Sequence, residues 1–217
     1  MTNRKRLCKI LVYLLVLAVS IVTLYWFGGG KSLTAEMAFH RQEKLNMIGP
    51  SNILATIDFP HGRYDHMMIG ISEYGYTFYE WYDTGGWDKG EMTYIPKQEG
   101  ATLFCTYYRY GSAAYSQDWL PIFAFTDAPL AVSAKLTLTT TSKEGETVNY
   151  PLEAQRSENG YFLFAWNAMN LRAEDFWLVQ QLITGQNREY KLSGNAEATL
   201  ELYNRNGELL ETYHFTK

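Results

Sequence analysis

From Ile10 to Phe27 the chain reads ILVYLLVLAVSIVTLYWF, eighteen residues without a charge, and Arg4, Lys5, Arg6 and Lys9 stand directly ahead of it. A helix of that length rises about 27 Å, close to the roughly 30 Å of hydrocarbon in a bilayer. The run therefore predicts a transmembrane anchor at 10–27 behind a basic cytoplasmic tail at 1–9. Lys31 is the only basic residue close behind the other end, so the asymmetry of positive charge places the N-terminus inside and the remainder outside. Tyr25 and Trp26 fall where an outer interfacial belt belongs, and residues 28–33 form a glycine-rich exit. The competing reading is a signal peptide cut after Ala18-Val19-Ser20, a small-x-small site. Cleavage there would leave IVTLYWF as a greasy new terminus, which favours the uncleaved anchor. Cys8 precedes the apolar run, against a lipid-modified cysteine. GGGKS at 28–32 resembles the tail of a phosphate-binding loop, but position 25 holds Tyr25 where that loop needs glycine.

All 23 acidic residues lie beyond the run, against 15 of the 19 Lys and Arg, which gives the outer part a net formal charge of −8. Nucleic-acid binders gain affinity by neutralising phosphates with Lys and Arg, so no nucleic-acid partner is expected. The same sign opposes flat adsorption on anionic lipid or wall polymer. Cys105 is the one cysteine outside, so no internal disulfide forms there. An outer part of about 185 residues buries roughly 70% of its chain surface without one. No Asn-x-Ser/Thr sequon occurs. Together these features fit a bacterial exported protein held in the cell membrane.

The outer sequence predicts a mainly β fold. TAEMAFHRQEKLN reads as a short juxtamembrane helix, with Thr34 as cap, Met37, Arg41, Leu45 and Ile48 as its mainly apolar stripe, and Gly49-Pro50 as its end. NILATIDF then alternates, placing Ile53, Ala55, Ile57 and Phe59 on one face. HMMIGIS, YTFYEWYD, EMTYIPK and ATLFCTYYR follow at short intervals, the texture of an antiparallel meander. From Leu120 a second series begins, with LPIFAF, VSAKLTLTTTS, ETVNYPLEA, YFLFAWN and two Asn-Gly hairpin signals at 159–160 and 206–207. AEDFWLVQQLI is the one internal helix candidate, with Phe176, Val179, Leu182 and Ile183 on one side. The expected division is a helix plus β-meander at 34–128 and a β-sandwich of immunoglobulin-like type at 129–217.

Candidates for chemistry are few. Asp58, His61, Asp65 and His66 cluster around a Pro-Gly turn, but their spacing matches no zinc pattern, and a solvated loop accounts for them. No metal or cofactor is expected. Cys105, in LFCTYY, reads as a buried small hydrophobe. Ser112, Ser116 and Asp118 lack a nearby base, since His40 and His214 carry no cue that brings them close. Glu73, Glu80 and Asp83 offer carboxylates for sugar chemistry, the basis of a third-ranked anchored hydrolase.

YGYTFYEWYDTGGWDKG, residues 74–90, holds seven aromatic rings in seventeen positions. As a strand it puts Tyr76, Phe78, Glu80 and Tyr82 on one face and Thr77, Tyr79 and Trp81 on the other. Neither face is charged enough to be plainly wet, so most of these rings are expected in a core or an interdomain contact. Trp87, in a glycine-rich loop, and Tyr110 and Tyr115 in TYYRYGSAAY are the rings expected outside, and with Trp81 they are the candidate contact residues. The leading expectation is a membrane-anchored extracellular binding or regulatory module, acting by contact with an envelope protein or its own copy. A carbohydrate or cell-wall ligand on the aromatic loops is the alternative.

Overall fold

A computed structural model describes residues 3–27, 32, 34–58, 66–82, 87–105, 119–167, 173–185 and 194–216. Helix α1 (Asn3–Phe27) carries the apolar run. Its Arg6–Thr23 window has a mean hydropathy of 2.1 and none of it is buried within the fold. Among the described residues it is the one helix long and apolar enough to cross a membrane, a property that signal sequences and anchors share. The Thr23 hydroxyl donates to the Val19 carbonyl, so even its polar atom is satisfied inside the helix.

Helix α2 (Ala35–Leu45) starts where expected. The Thr34 side chain accepts from the Met37 N–H at 3.1 Å, and Glu36 lies in the first turn. Its end differs from the Gly49-Pro50 stop. The Ile48 N–H returns to the Glu43 carbonyl at 2.9 Å and the Met47 N–H to Lys44 at 3.3 Å, with Met47 left-handed at φ 58°. This is a Schellman closure with methionine where glycine is usual. The buried face is also not the apolar stripe. Ala38, Phe39 and Glu43 are buried, while Met37 and Leu45 are exposed. Phe39 decides the docking, because its ring occupies the space a side chain at Gly70 would need: a Cβ there would lie 2.5 Å from Phe39 Cζ.

The meander follows as β1 (Asn52–Asp58), β2 (His66–Ile71), β3 (Gly75–Trp81) and β4 (Glu91–Pro96), paired in that order and antiparallel. In β1, Ile53 pairs with Gly70 and Ala55 with Ile69, so Leu54 is an extra residue. That bulge breaks the expected common face. Ile53 packs under α2, whereas Ala55 and Ile57 face the opposite way. Phe59 lies outside the described residues.

Seven strands complete the chain: β5 (Ala101–Cys105), β6 (Trp119–Thr126), β7 (Ser133–Ser142), β8 (Thr147–Gln155), β9 (Tyr161–Asn167), β10 (Gly194–Tyr203) and β11 (Leu209–Thr216), with α3 (Ala173–Thr184) between β9 and β10. They form a three-stranded sheet ordered β5-β6-β9 and a four-stranded sheet ordered β11-β10-β7-β8. Lettered A to G in chain order, these are A-B-E and G-F-C-D. That is the immunoglobulin arrangement with the fourth strand moved from the first sheet to the second. The three-stranded sheet thus draws β5 and β6 from ahead of residue 129. Leu103, Cys105, Leu120, Ile122 and Ala124 share one core with Leu136, Leu138, Leu200 and Leu202.

The β5-β6-β9 sheet is covered on both faces. Along it, Leu103, Ile122, Phe162, Phe164 and Trp166 point to the four-stranded sheet and α3, while Phe104, Phe123, Phe125 and Tyr161 point to the meander. Phe78 of β3 stacks on Phe104 with ring centres 3.6 Å apart, and Tyr76 on Phe125 at 4.1 Å. The meander is in turn covered by α2, which leaves every residue of β3 buried. The run of rings in YGYTFYEW is the signature of a strand between two apolar layers.

Three tight turns share one construction that differs from the two-residue type expected of Asn-Gly. Ser142, Ser157 and Asn204 each accept a 3.0 Å bond from the N–H of a glycine three residues on, and Gly145, Gly160 and Gly207 take φ of 85°, 87° and 77°. A type I turn closed by a left-handed glycine matches this pattern, and there the residue before glycine keeps an ordinary φ. At 157–161 the turn does not build a continuous hairpin. β8 pairs with β7 and β9 with β6, and only Arg156 bridges to Phe162. Arg156 holds this crossing, donating from Nη1 to the carbonyls of Ala128, Pro129 and Ala131 at 2.8, 3.1 and 3.2 Å.

Candidate functional site

The most developed polar arrangement lies where the chain enters the folded body. Behind β3, Trp87–Lys89 makes a single 3-10 turn, and the buried Tyr79 hydroxyl donates to the Trp87 carbonyl. Burial is the largest influence on that phenol and pushes its pKa above the ordinary value, which keeps it a donor. So held, the turn presents two groups to Ser32. The Trp87 indole N–H donates to the Ser32 carbonyl at 2.7 Å, and the Ser32 N–H donates to both Asp88 carboxylate oxygens at 2.9 and 2.8 Å. Arg41 of α2 stands 3.7 Å from the same carboxylate. Ser32 is thus gripped on both sides of its backbone, five residues past the end of α1. Charge-assisted bonds of this kind are the stronger class.

Trp87 is exposed, as expected, and the clamp adds a second part to it. The residue is 37% exposed, so its ring does reach solvent, but its polar edge is engaged by its own chain. Trp81 belongs to the core: it is 5% exposed, packs with Phe39, Met68 and Tyr79, and lies parallel to His66 at 5.2 Å. It offers no surface for a partner, because α2 covers that face of β3. Tyr110 and Tyr115 lie outside the described residues, as do His61, Asp65, Asp83, Ser112, Ser116 and Asp118.

Asp58 and His66 do meet, at 2.7 Å across the β1–β2 register. Among the described residues no group of three metal-ligating side chains forms. His40 Nδ1 lies 2.7 Å from Glu43, whose other oxygen accepts from the buried Ser51 N–H at 3.0 Å. His214 pairs with Thr199 across β10–β11. Glu73 lies in the turn before β3 and Glu80 near the far end of that strand, too far apart to work as a carboxylate pair.

The clamp was not legible in the sequence beyond a Trp-Asp pair in a glycine-rich loop. Its partners stand 55 and 56 residues apart along the chain. Asp88→Ala is expected to lower stability by about 1–3 kcal/mol, since it leaves the Ser32 N–H without its acceptor. Urea denaturation reads the loss, and faster hydrogen exchange at the Ser32 amide locates it.

Cys105 is fully buried, and burial first, then the nearby Glu80 charge, pushes its thiol far up. Burial likewise raises the Tyr76, Tyr79 and Tyr161 phenols. These groups hold their protons more tightly folded than unfolded. The stability they lend is complete below the unfolded values and is lost as pH rises through and beyond them. Decline is expected from about pH 8.5, where a free thiol titrates, and more steeply from about pH 10. In a Cys8→Ser chain, iodoacetamide at pH 8 should modify Cys105 only after unfolding.

No family model matches the chain, and no curated protein matches it in sequence. Among solved structures, Bacteroides uniformis beta-glucuronidase aligns with 53% of this chain and 12% of its own, at 14% identity and a TM-score of 0.20. A calcium-binding mutant of Bacteroides uniformis beta-glucuronidase 2 aligns with 57% of this chain and 14% of its own, at 15% identity and a TM-score of 0.23. The chain spans a small fraction of those enzymes, and a likeness at this level carries no argument about activity.

Proposed function

We propose that the chain is a single-pass membrane protein whose N-terminus lies in the cytoplasm and whose β-rich body stands on the outer side, working as a binding or regulatory module by contact with an envelope protein or a second copy. The observation that carries this reading is the junction. The Arg6–Thr23 stretch of α1 is exposed, and Ser32, five residues past the end of the helix, is built into the body by Trp87 and Asp88. Five residues span at most about 18 Å. A body held on so short a tether keeps a set height above the bilayer, which suits recognition of a neighbour in the same membrane. The alternative is a carbohydrate or cell-wall ligand on the aromatic loops, for which the solvent-reaching ring of Trp87 is the described candidate.

Protease added to intact cells or protoplasts is expected to digest the bulk of the chain while an epitope at the N-terminus survives. Neutralising Arg4, Lys5, Arg6 and Lys9 together should produce a mixture of orientations, because the asymmetry of basic charge disappears. A protected C-terminus, or a mature chain beginning at Ile21, overturns the proposal.

A further inference from the structure

We infer that the outward face of α2 and its closing turn rest in the headgroup layer of the membrane that α1 crosses, so that the body touches lipid through Met37, Leu45 and Met47. This rests on the anchor reading and extends it to a second point of membrane contact. Three observations converge. First, the apolar side chains of this segment face out: Met37 is 49%, Leu45 64% and Met47 94% exposed. Met37 and Leu45 lie two turns apart on one side, with Arg41 between them and Lys44 beside them. Apolar groups flanked by basic ones make the pattern of an interfacial helix.

Second, Met47 stands in the left-handed conformation at φ 58°. Glycine takes that conformation without the cost of roughly 1–2 kcal/mol that a side chain incurs. The two bonds of the closing turn hold the backbone there, while the long thioether stands almost wholly outside the fold, where nothing in the body covers it. Burial in a lipid surface would cover it.

Third, the tether limits the distance. Ser32 lies within about 18 Å of the end of α1, and α2 starts three residues later and meets the same clamp through Arg41 and Asp88. The start of α2 therefore belongs to the part of the body within reach of the bilayer. The body beyond the span carries a net formal charge of −8, with 15 basic against 23 acidic residues, so attraction to anionic lipid is not the driving force. Burial of the apolar side chains is, and the contact should form equally well on zwitterionic lipid.

The test uses the full chain, carrying Cys8→Ser, in phosphatidylcholine nanodiscs. Single nitroxide labels are placed at Met37→Cys, Leu45→Cys and Met47→Cys, at Val16→Cys inside α1, and at Leu130→Cys, a 71% exposed position in the β6–β7 turn. The buried Cys105 stays unlabelled. Power saturation compares collision with oxygen, which concentrates in lipid, and with a water-soluble nickel chelate. The oxygen-to-nickel ratio at 37, 45 and 47 is expected to exceed that at 130 severalfold, and to be unchanged when anionic lipid is added. If 37, 45 and 47 behave like 130 while 16 reports the bilayer interior, this inference fails and the anchor reading stands. If 16 is also in water, both fail. Dipolar broadening between labels at 47 would mean that a second copy covers the face, and would overturn the lipid contact.

Discussion

Replacing Phe78 by Ala is expected to cost about 3–5 kcal/mol of folding stability, the range for deleting a fully buried aromatic ring. Phe78 is 1% exposed and lies between the meander and the β5-β6-β9 sheet. Its ring lies on Phe104 at 3.6 Å with an interplanar angle of 17°, and Phe125 meets it edge-on at 5.8 Å. Truncation removes contacts on both sides at once, and neither sheet can collapse into the gap without shearing its own hydrogen bonds. Equilibrium urea unfolding of the full chain in detergent, followed by near-ultraviolet circular dichroism, reads the change. A loss under about 1 kcal/mol would mean that the two sheets do not pack on one another as described, and that the rings of YGYTFYEW are available for recognition after all.

Phe39→Ala is expected to cost a similar 3–5 kcal/mol, while Met37→Ala and Leu45→Ala each stay within about 0.5 kcal/mol in the same detergent. The three substitutions compare the two faces of one helix. Phe39 is fully buried, meets Tyr79 edge-on at 6.3 Å, and fills the hollow over Gly70. No side chain at Gly70 can replace it, so its removal leaves a void. Met37 and Leu45 stand outside the packed body, so truncating either leaves no cavity within it. If the order of effects were reversed, α2 would be docked through its more apolar stripe and the inferred lipid face would not exist.

The local features of this protein were legible in its sequence. Uncharged length marked α1, Thr34 and Glu36 marked the start of α2, and runs of β-branched and aromatic residues between turn formers marked the strands. The Asn-Gly pairs marked real turns. Each of these depends on residues within a few positions of one another, and so survives in a one-dimensional reading. The mainly β class follows from them, and so does the expectation that most rings near residue 78 are core.

What only the tertiary structure decided was which surfaces meet. Periodicity proposed the wrong face for α2 because it weighs side-chain apolarity and cannot see Gly70, the gap in β2 that receives Phe39. One extra residue at Leu54 turned Ile53 to the other side of its sheet, a slip that alternation cannot reveal. β5 looked like the last strand of the meander, and β6, which opened the second series, still fell ahead of the expected division at 129, since strands of equal length and spacing carry no mark of the partner they will pair with. β5 pairs with β6 and β6 with β9, which joins strands from ahead of residue 129 to one beyond it. Ser32 and Asp88 are joined by a bond across 56 residues. Neither has a local pattern that announces the other, because a hydrogen bond between distant segments is specified by the packing that brings them together and not by the residues that form it.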